Sequence, residues 1–450
     1  MKRYFYLLWA GLVAVASGVP ASAQFSLSAQ LRTRTELLYG QGSPLSRNEK
    51  VAFFTSQRTR LHAGYKAERL QLFATLQDVR VWGQDASTNN RITSPALNGL
   101  MLHEAWAEIG LLDTAKIRTG QMLTLKIGRQ ELLYDDSRVL GNLDWLQQAR
   151  RHDAAVLKYT GRDFTMHLGA AYNQNRELRS GTLYDGVPAG YPAGSNGIGT
   201  MYKSLQFLYL ARRIRHGTLS FLTVKDDFQR YGRDSTGNKF LHAGTWKRIT
   251  LGPYLQTSFG QHWNLTANAF YQTGCDKDGR RLDAWLYSVR GSYNPSRTWT
   301  IGPGFDFTSG TQPGAPQNHS FDPLYGTPHK FWGQMDYFYA GSGFGRGGLA
   351  DWYVSSTIKV DSKLSMQADI HHFASASEVR NAQDQKLRAV LGNELDVILN
   401  YTMTKTITFQ GGYCTFLPTA TLAQVKGVSD YRKVAAWTYL MISIKPDLLK

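Results

Sequence analysis

The chain has 450 residues, a formal net charge of +17 at pH 7, 12% aromatic and 19% charged residues, and 43 glycines. Past the N-terminus it has no apolar run of membrane-helix length, which argues against a helical membrane protein and suits a soluble β protein or a membrane barrel. Its two cysteines, Cys275 and Cys414, are too few to staple a fold of this size, and a single disulfide between them stays open.

In chain order, Lys2 and Arg3 precede an apolar run from Tyr4 to Val19, followed by Ala21-Ser22-Ala23. That is the plan of a secretory signal peptide over residues 1–23, and cleavage after Ala23 leaves 427 residues with a charge of +15. A basic chain suits nucleic acid, anionic lipid or an acidic ligand. Export makes nucleic acid the least fitting partner and points to an anion outside the cytoplasm.

From residue 24 to 450 the pattern is a series of alternating apolar and polar segments, read as one domain. Eight tight turns separate them in pairs: Ala67 to Arg69, Leu112 to Thr114, Gly161 to Asp163, His216-Gly217, Gly260 to His262, Asn294 to Arg297, Asp361 to Lys363, and Thr404-Lys405. Nine longer polar stretches lie between them, among them Gly83 to Leu100, Asn175 to Tyr202, Ser309 to Ala350 and Ser375 to Leu391. Short turns on one side and long loops on the other predict an all-β transmembrane antiparallel up-and-down barrel of about eighteen strands, with periplasmic turns and extracellular loops. The segment Ser309 to Ala350, with seven glycines after Tyr325, is read as able to fold inward as a plug.

Alternation separates two faces. In the first strand Phe25, Leu27, Ala29, Leu31, Leu37 and Tyr39 oppose Ser26, Ser28, Gln30, Arg32, Arg34 and Glu36. If the apolar face meets lipid, the other lines a lumen. The same count puts Arg58, Arg60 and His62 on the lumen face of strand two and Lys116, Arg118 and Lys126 on that of strand five. A wall of Arg and Lys favours anions, and Arg forks hold carboxylates bidentately. Glu36, Glu104, Glu108, Glu394 and Asp396 are expected on the lumen face too, pinning the arginines and tempering the field. The other reading of the same residues is a set of ion pairs that fill and stiffen the barrel.

One stretch carries a family likeness: Gly128-Arg129-Gln130-Glu131, then Tyr134, Asp135, Asp136, Arg138, Gly141, Asp144-Trp145 and Arg150-Arg151-His152-Asp153. It resembles the alginate-export family of outer-membrane barrels, as do Phe321 to Tyr325 through Asp336-Tyr337-Phe338, and Gly392 to Asp396 leading to Tyr401 and Gly412-Tyr413. The resemblance implies an eighteen-stranded barrel in the Gram-negative outer membrane, exporting a linear uronic-acid polymer through an arginine-rich lumen. It implies Arg32, Arg34, Arg58, Arg60, Arg129, Arg138 and Arg150 as the selectivity wall, with Glu131, Asp144 and Glu394 as partners.

Other motifs read as structural. His371-His372 points one ring to each face; Asp135-Asp136 and Asp276-x-Asp278-Gly279 lack a full calcium loop; Gly343-x-Gly345-x-x-Gly348 follows no buried strand and opens no helix. The expectation is a passive conduit with no cofactor, no metal and no catalytic residue, whose partners are an anionic polysaccharide or small anions, outer-membrane lipid, and periplasmic or inner-membrane secretion components. Its rivals are a general anion porin, a hydrolase, for which no G-x-S-x-G motif occurs, and a surface barrel without transport.

Overall fold

Alternation becomes strands throughout the computed structural model, which describes residues 24–83, 100–112, 120–174, 177, 179–184, 201–323, 325–340 and 346–449. Eighteen strands run in order: β1 (Gln24–Tyr39), β2 (Ala52–Lys66), β3 (Leu70–Val81), β4 (Met101–Gly110), β5 (Met122–Gln130), β6 (His152–Thr160), β7 (Phe164–Tyr172), β8 (Ser204–Ile214) and β9 (Gly217–Arg233). They continue with β10 (Lys239–Phe259), β11 (Trp263–Cys275), β12 (Arg281–Tyr293), β13 (Trp299–Thr308), β14 (Leu349–Lys359), β15 (Leu364–Ser375), β16 (Val390–Thr402), β17 (Ile407–Pro418) and β18 (Ala435–Ile444).

Each strand pairs antiparallel with its neighbours, and β1 pairs with both β2 (Arg32↔Arg58) and β18 (Leu31↔Ile444 to Tyr39↔Ala436), which closes the ring. Closure removes every sheet edge. After β18, Lys445-Pro446 breaks the ladder and Asp447–Leu449 rejoins β1 at Ser28 and Leu27.

The faces follow the sequence. Leu31 and Leu37 are 36% and 42% exposed on the outside, whereas Arg32, Arg34 and Glu36 are 4%, 6% and 4% exposed inside. Trp263 and Trp299 face outward, while Asn268, Gln272 and Asp306 are buried in the lumen.

Three connection lengths differ from expectation. The β4–β5 connection spans 111–121 rather than a three-residue turn at Leu112 to Thr114, so β5 starts at Met122, and Lys116 and Arg118 lie outside the described residues. Two of the nine long-side connections are only residues 234–238 and 276–280: β9 and β10, of 17 and 21 residues, carry their pairing up to Lys239↔Arg233, and β11 and β12 carry theirs up to Cys275↔Arg281. A segment that keeps alternating and finds a partner stays a strand, however polar it is.

Two long-side connections turn inward. Residues 131–151 dock on β1, β2, β12 and β13, and the described part of 309–348 docks on β9, β10 and β16. They pair with each other through Leu140↔Tyr325. Between β17 and β18 a helix, α1 (Ala420–Val425), is capped by the Thr419 hydroxyl accepting from the Leu422 amide, and it buries Leu422 and Ala423.

Candidate functional site

The lumen site begins on two neighbouring strands. Inward positions of β1 and β2 recur every second residue, so Arg32, Arg58 and Arg60 point into one space, with Arg32 directly opposite Arg58. Like charges in register repel. The relief comes from the loop: Asp144 receives Arg58 Nη1 at 2.8 Å, Arg60 Nη1 at 3.2 Å and Arg32 Nη1 at 3.4 Å. Burial alone would raise the Asp144 carboxyl, but Arg58 and Arg32 outweigh it and hold the group below the ordinary carboxylate range. Gln147 Oε1 accepts from Arg32 Nε at 3.0 Å, and Gln30 Oε1 accepts from Arg58 Nη2 at 2.8 Å. Three guanidinium groups share one carboxylate, which leaves a surplus of positive charge on this wall.

Around that cradle Arg34 pairs with Glu36 at 2.8 Å and lies over the Trp145 ring at 4.5 Å. Arg60 Nη2 also meets His103 Nε2 at 2.9 Å, and the same nitrogen lies 3.0 Å from Glu131 Oε1, whose other oxygen accepts from Asn142 at 2.7 Å. His103 reaches the lumen because the register slips between Thr75 and Leu76, a bulge that turns both His103 and Glu104 inward. Burial raises the Glu131 carboxyl. His103, Glu104 and Glu131 are, among the described residues, the one group spaced to hold a metal ion, but the Arg60 guanidinium already occupies the imidazole nitrogen. Lys126 faces the lumen as expected and sits 3.8 Å above the Trp106 ring.

Several expected wall residues do other work. Arg129 shares the face of Ile127, 39% exposed, and points outward, forming a two-pronged pair with Asp153 at 2.8 and 2.9 Å. It is no lumen residue, because it is one step out of phase with Lys126. Arg138 is buried and crosses the lumen to Asp306 at 2.7 Å, with Asp136 at 3.3 Å and the Phe331 ring at 3.8 Å. Burial disfavours its charge, yet Asp306 and Asp136 raise it above the ordinary guanidinium value, so it is a pin for the loop. Arg150 is buried and donates to the Gly326 carbonyl, and burial lowers it to about 10. Among the described residues Glu394 and Asp396 partner no arginine: Glu394 Oε1 accepts from the Met335 amide at 2.7 Å and Asp396 Oδ2 from the Gln334 amide at 3.2 Å, fastening the second inner loop.

The histidine pair and the Asp276 turn have partners within the protein. His371 meets Asp351 at 3.0 Å inside and His372 meets Asn393 at 2.7 Å outside; Asp276 accepts from its own turn amides at 2.9 Å; both cysteines are free. Gly343 and Gly345 lie outside the described residues. Sequence reading missed Gln147, Asp306 and Asp226, the last of which holds Arg248 at 2.6 Å, and it missed His329, stacked on Trp145 at 4.2 Å. Only the Gly-x-x-x-Trp spacing hinted at Trp145.

Comparison with known proteins agrees with this picture. Residues 23–176, which contain the whole arginine cradle and the first inner loop, match the family model described as alginate export. Among solved structures, OccAB4 of Acinetobacter baumannii is similar with a TM-score of 0.60 at 12% identity, covering 94% of this chain and 98% of that one. OpdO of Pseudomonas aeruginosa gives 0.59 at 14% identity over 94% and 98% of the two chains, and a BenF-like porin from Pseudomonas fluorescens Pf-5 gives 0.58 at 12% over 94% and 99%. No curated protein matches in sequence. The chain therefore shares the fold of these solved barrels, a closed antiparallel ring of eighteen strands.

Proposed function

We propose that this barrel conducts a carboxylated solute across the outer membrane, in the leading case an acidic uronic-acid polysaccharide moved outward, and that the arginines of β1 and β2 select it. The observation that carries this reading is the sharing of the single Asp144 carboxylate by Arg32, Arg58 and Arg60. A wall built with more guanidinium groups than carboxylates draws anions, and Arg forks match a carboxylate's two oxygens. The alginate-export match over residues 23–176 supports the polymer, since the cradle lies inside it. Export calls for periplasmic and inner-membrane partners that deliver the polymer, and for removal of residues 1–23. The lumen needs no cofactor to act.

A porin for small anions is the second reading. It is favoured by a lumen divided into separate cavities of about 720 and 580 Å³, each the size of a small-molecule site.

Single-channel recording of the refolded barrel in a planar bilayer tests the anion claim, with reversal potentials in a salt gradient and titration by uronic-acid oligomers. Anion selectivity, blocked by the oligomers and weakened in the Arg32→Ala plus Arg58→Ala variant, is the expected result. A silent or cation-selective barrel sinks it.

A further inference from the structure

Three lumen cavities meet at one side chain. The cavity on the long-loop side, about 720 Å³, takes its charge from Arg34, Arg80, Arg150, Glu36 and Asp336. A second of about 580 Å³, towards the short turns, is lined by Arg290, Asp306, Tyr353 and Asp369, and a third of about 420 Å³ by Gln30, Arg32 and Lys445. Trp145 is common to all three, and His329 to the first two.

These two residues come from different inner loops. Trp145 belongs to 131–151 and His329 to 309–348, and their rings stack at 4.2 Å and 11°. Trp145 is also held by the barrel wall: Arg34 lies over it at 4.5 Å, and Tyr439 and Trp437 of β18 meet it edge-on at 5.2 and 5.8 Å. His329 is held by Asp336 through Nδ1 at 2.7 Å, while its Nε2 has no hydrogen-bond partner. The stack is therefore a seam between two loops, with the barrel wall on one side and cavities above and below.

The backbone of both loops is held where side chains dislike to be. Asp135, Ser137, Leu143, Ala149, Trp332, Asp336 and Tyr339 have φ between 51° and 71°, which among the described residues leaves only Asp384 elsewhere. Such conformations persist only where the surroundings enforce them. Loops of that kind are fixed furniture of the lumen rather than loose flaps.

We infer that the Trp145–His329 stack is the septum of the channel, dividing it into an outer and an inner chamber and setting the size of the solute that passes. Either chamber accepts a single carboxylated ring such as a hexuronate. Its carboxylate meets the arginine side of the outer chamber, and its ring face replaces the imidazole on Trp145 as it crosses. A longer chain crosses only when the Trp145 and His329 side chains swing apart, the loop backbones staying in place. This rests on the channel reading and is independent of anion preference, which the reversal potential reads separately.

The test is bilayer conductance together with uptake of a mono-uronate and a tri-uronate into liposomes, for the full-length barrel carrying Trp145→Ala, Trp145→Phe or His329→Ala. Folding is scored by the heat-sensitive gel shift of an intact barrel. With the septum removed, conductance rises about twofold or more and the preference for the monomer over the trimer shrinks, while Trp145→Phe keeps both close to the parent. Conductance and size preference unchanged in folded Trp145→Ala overturn the septum, whatever the reversal potential shows. If Trp145→Ala does not fold, His329→Ala decides by the same readings, since it removes the stack without disturbing the Arg34 contact.

Discussion

Asp144 is the residue on which the lumen's charge balance turns. Removing it leaves Arg32, Arg58 and Arg60 facing one another without their shared carboxylate. Breaking a buried pair costs about 3–5 kcal/mol, but the Asp144 side chain is 41% exposed, and solvent screening brings the expected cost of Asp144→Ala down to about 1–2 kcal/mol. The loss falls on the docking of loop 131–151, so faster proteolytic cutting within that loop is the reading, and cutting at the parental rate would show that the arginines do not need the carboxylate. The pH dependence has a definite sign. A carboxyl held below its ordinary value stabilises fully above its unfolded pKa of about 3.9 and loses that contribution as pH falls through the folded value. Loop protection stays level from neutral pH to about 4 and falls only below it; a step near pH 6 would assign the effect to another group. Alternation gave the face of these arginines but not their partner, since Arg32 and Asp144 are 112 residues apart, and Asp144 was named beside them only through the family resemblance. The same limit misplaced Glu394 as an arginine partner.

Elements were more legible than residues, and the exceptions have physical causes. Tight turns such as 161–163 and 260–262 stand where glycine and polar residues interrupt alternation. The 234–238 and 276–280 connections are shorter than composition suggested, because polar residues at the ends of β9 and β10, and of β11 and β12, still find ladder partners. Arg129 failed as a wall residue for a sharper reason: Gly128 and Arg129 lie on opposite faces, and only Gly128 shares the phase of Lys126. That glycine sits with φ +118° so close to β4 that an added Cβ would lie 2.3 Å from the Ala105 carbonyl oxygen, which explains the motif's glycine without any lumen role for its arginine. The second inner loop is fixed in a comparable way at Gly333, where φ is +82° and a Cβ would lie 2.4 Å from Glu394 Oε2. Gly333→Ala must therefore either push Glu394 off the Met335 amide or leave the left-handed region, at a cost of about 1–2 kcal/mol. Hydrogen exchange at the Gln334 and Met335 amides reports it, and unchanged protection of both would rule out this anchoring.

At the scale of the whole molecule the one-face-in, one-face-out rule is the claim that everything else depends on, and it has its own test on a single strand. Val354 in the middle of β14 is 46% exposed on the outer surface, while Thr357, one and a half repeats along, faces the inner chamber. An arginine facing hydrocarbon near the bilayer midplane costs about 2–4 kcal/mol, and lumen substitutions mainly tune selectivity. Val354→Arg therefore lowers stability by about that amount in urea titrations of the barrel in lipid vesicles, and Thr357→Arg lowers it by well under half as much while shifting the reversal potential further towards anions. The comparison is internal to one strand, so strand length, loop chemistry and overall charge change equally in both variants. Equal destabilisation by the two would mean that β14 does not separate lipid from lumen; the cradle on β1 and β2, placed by the same alternation, would then lose its standing as a pore wall.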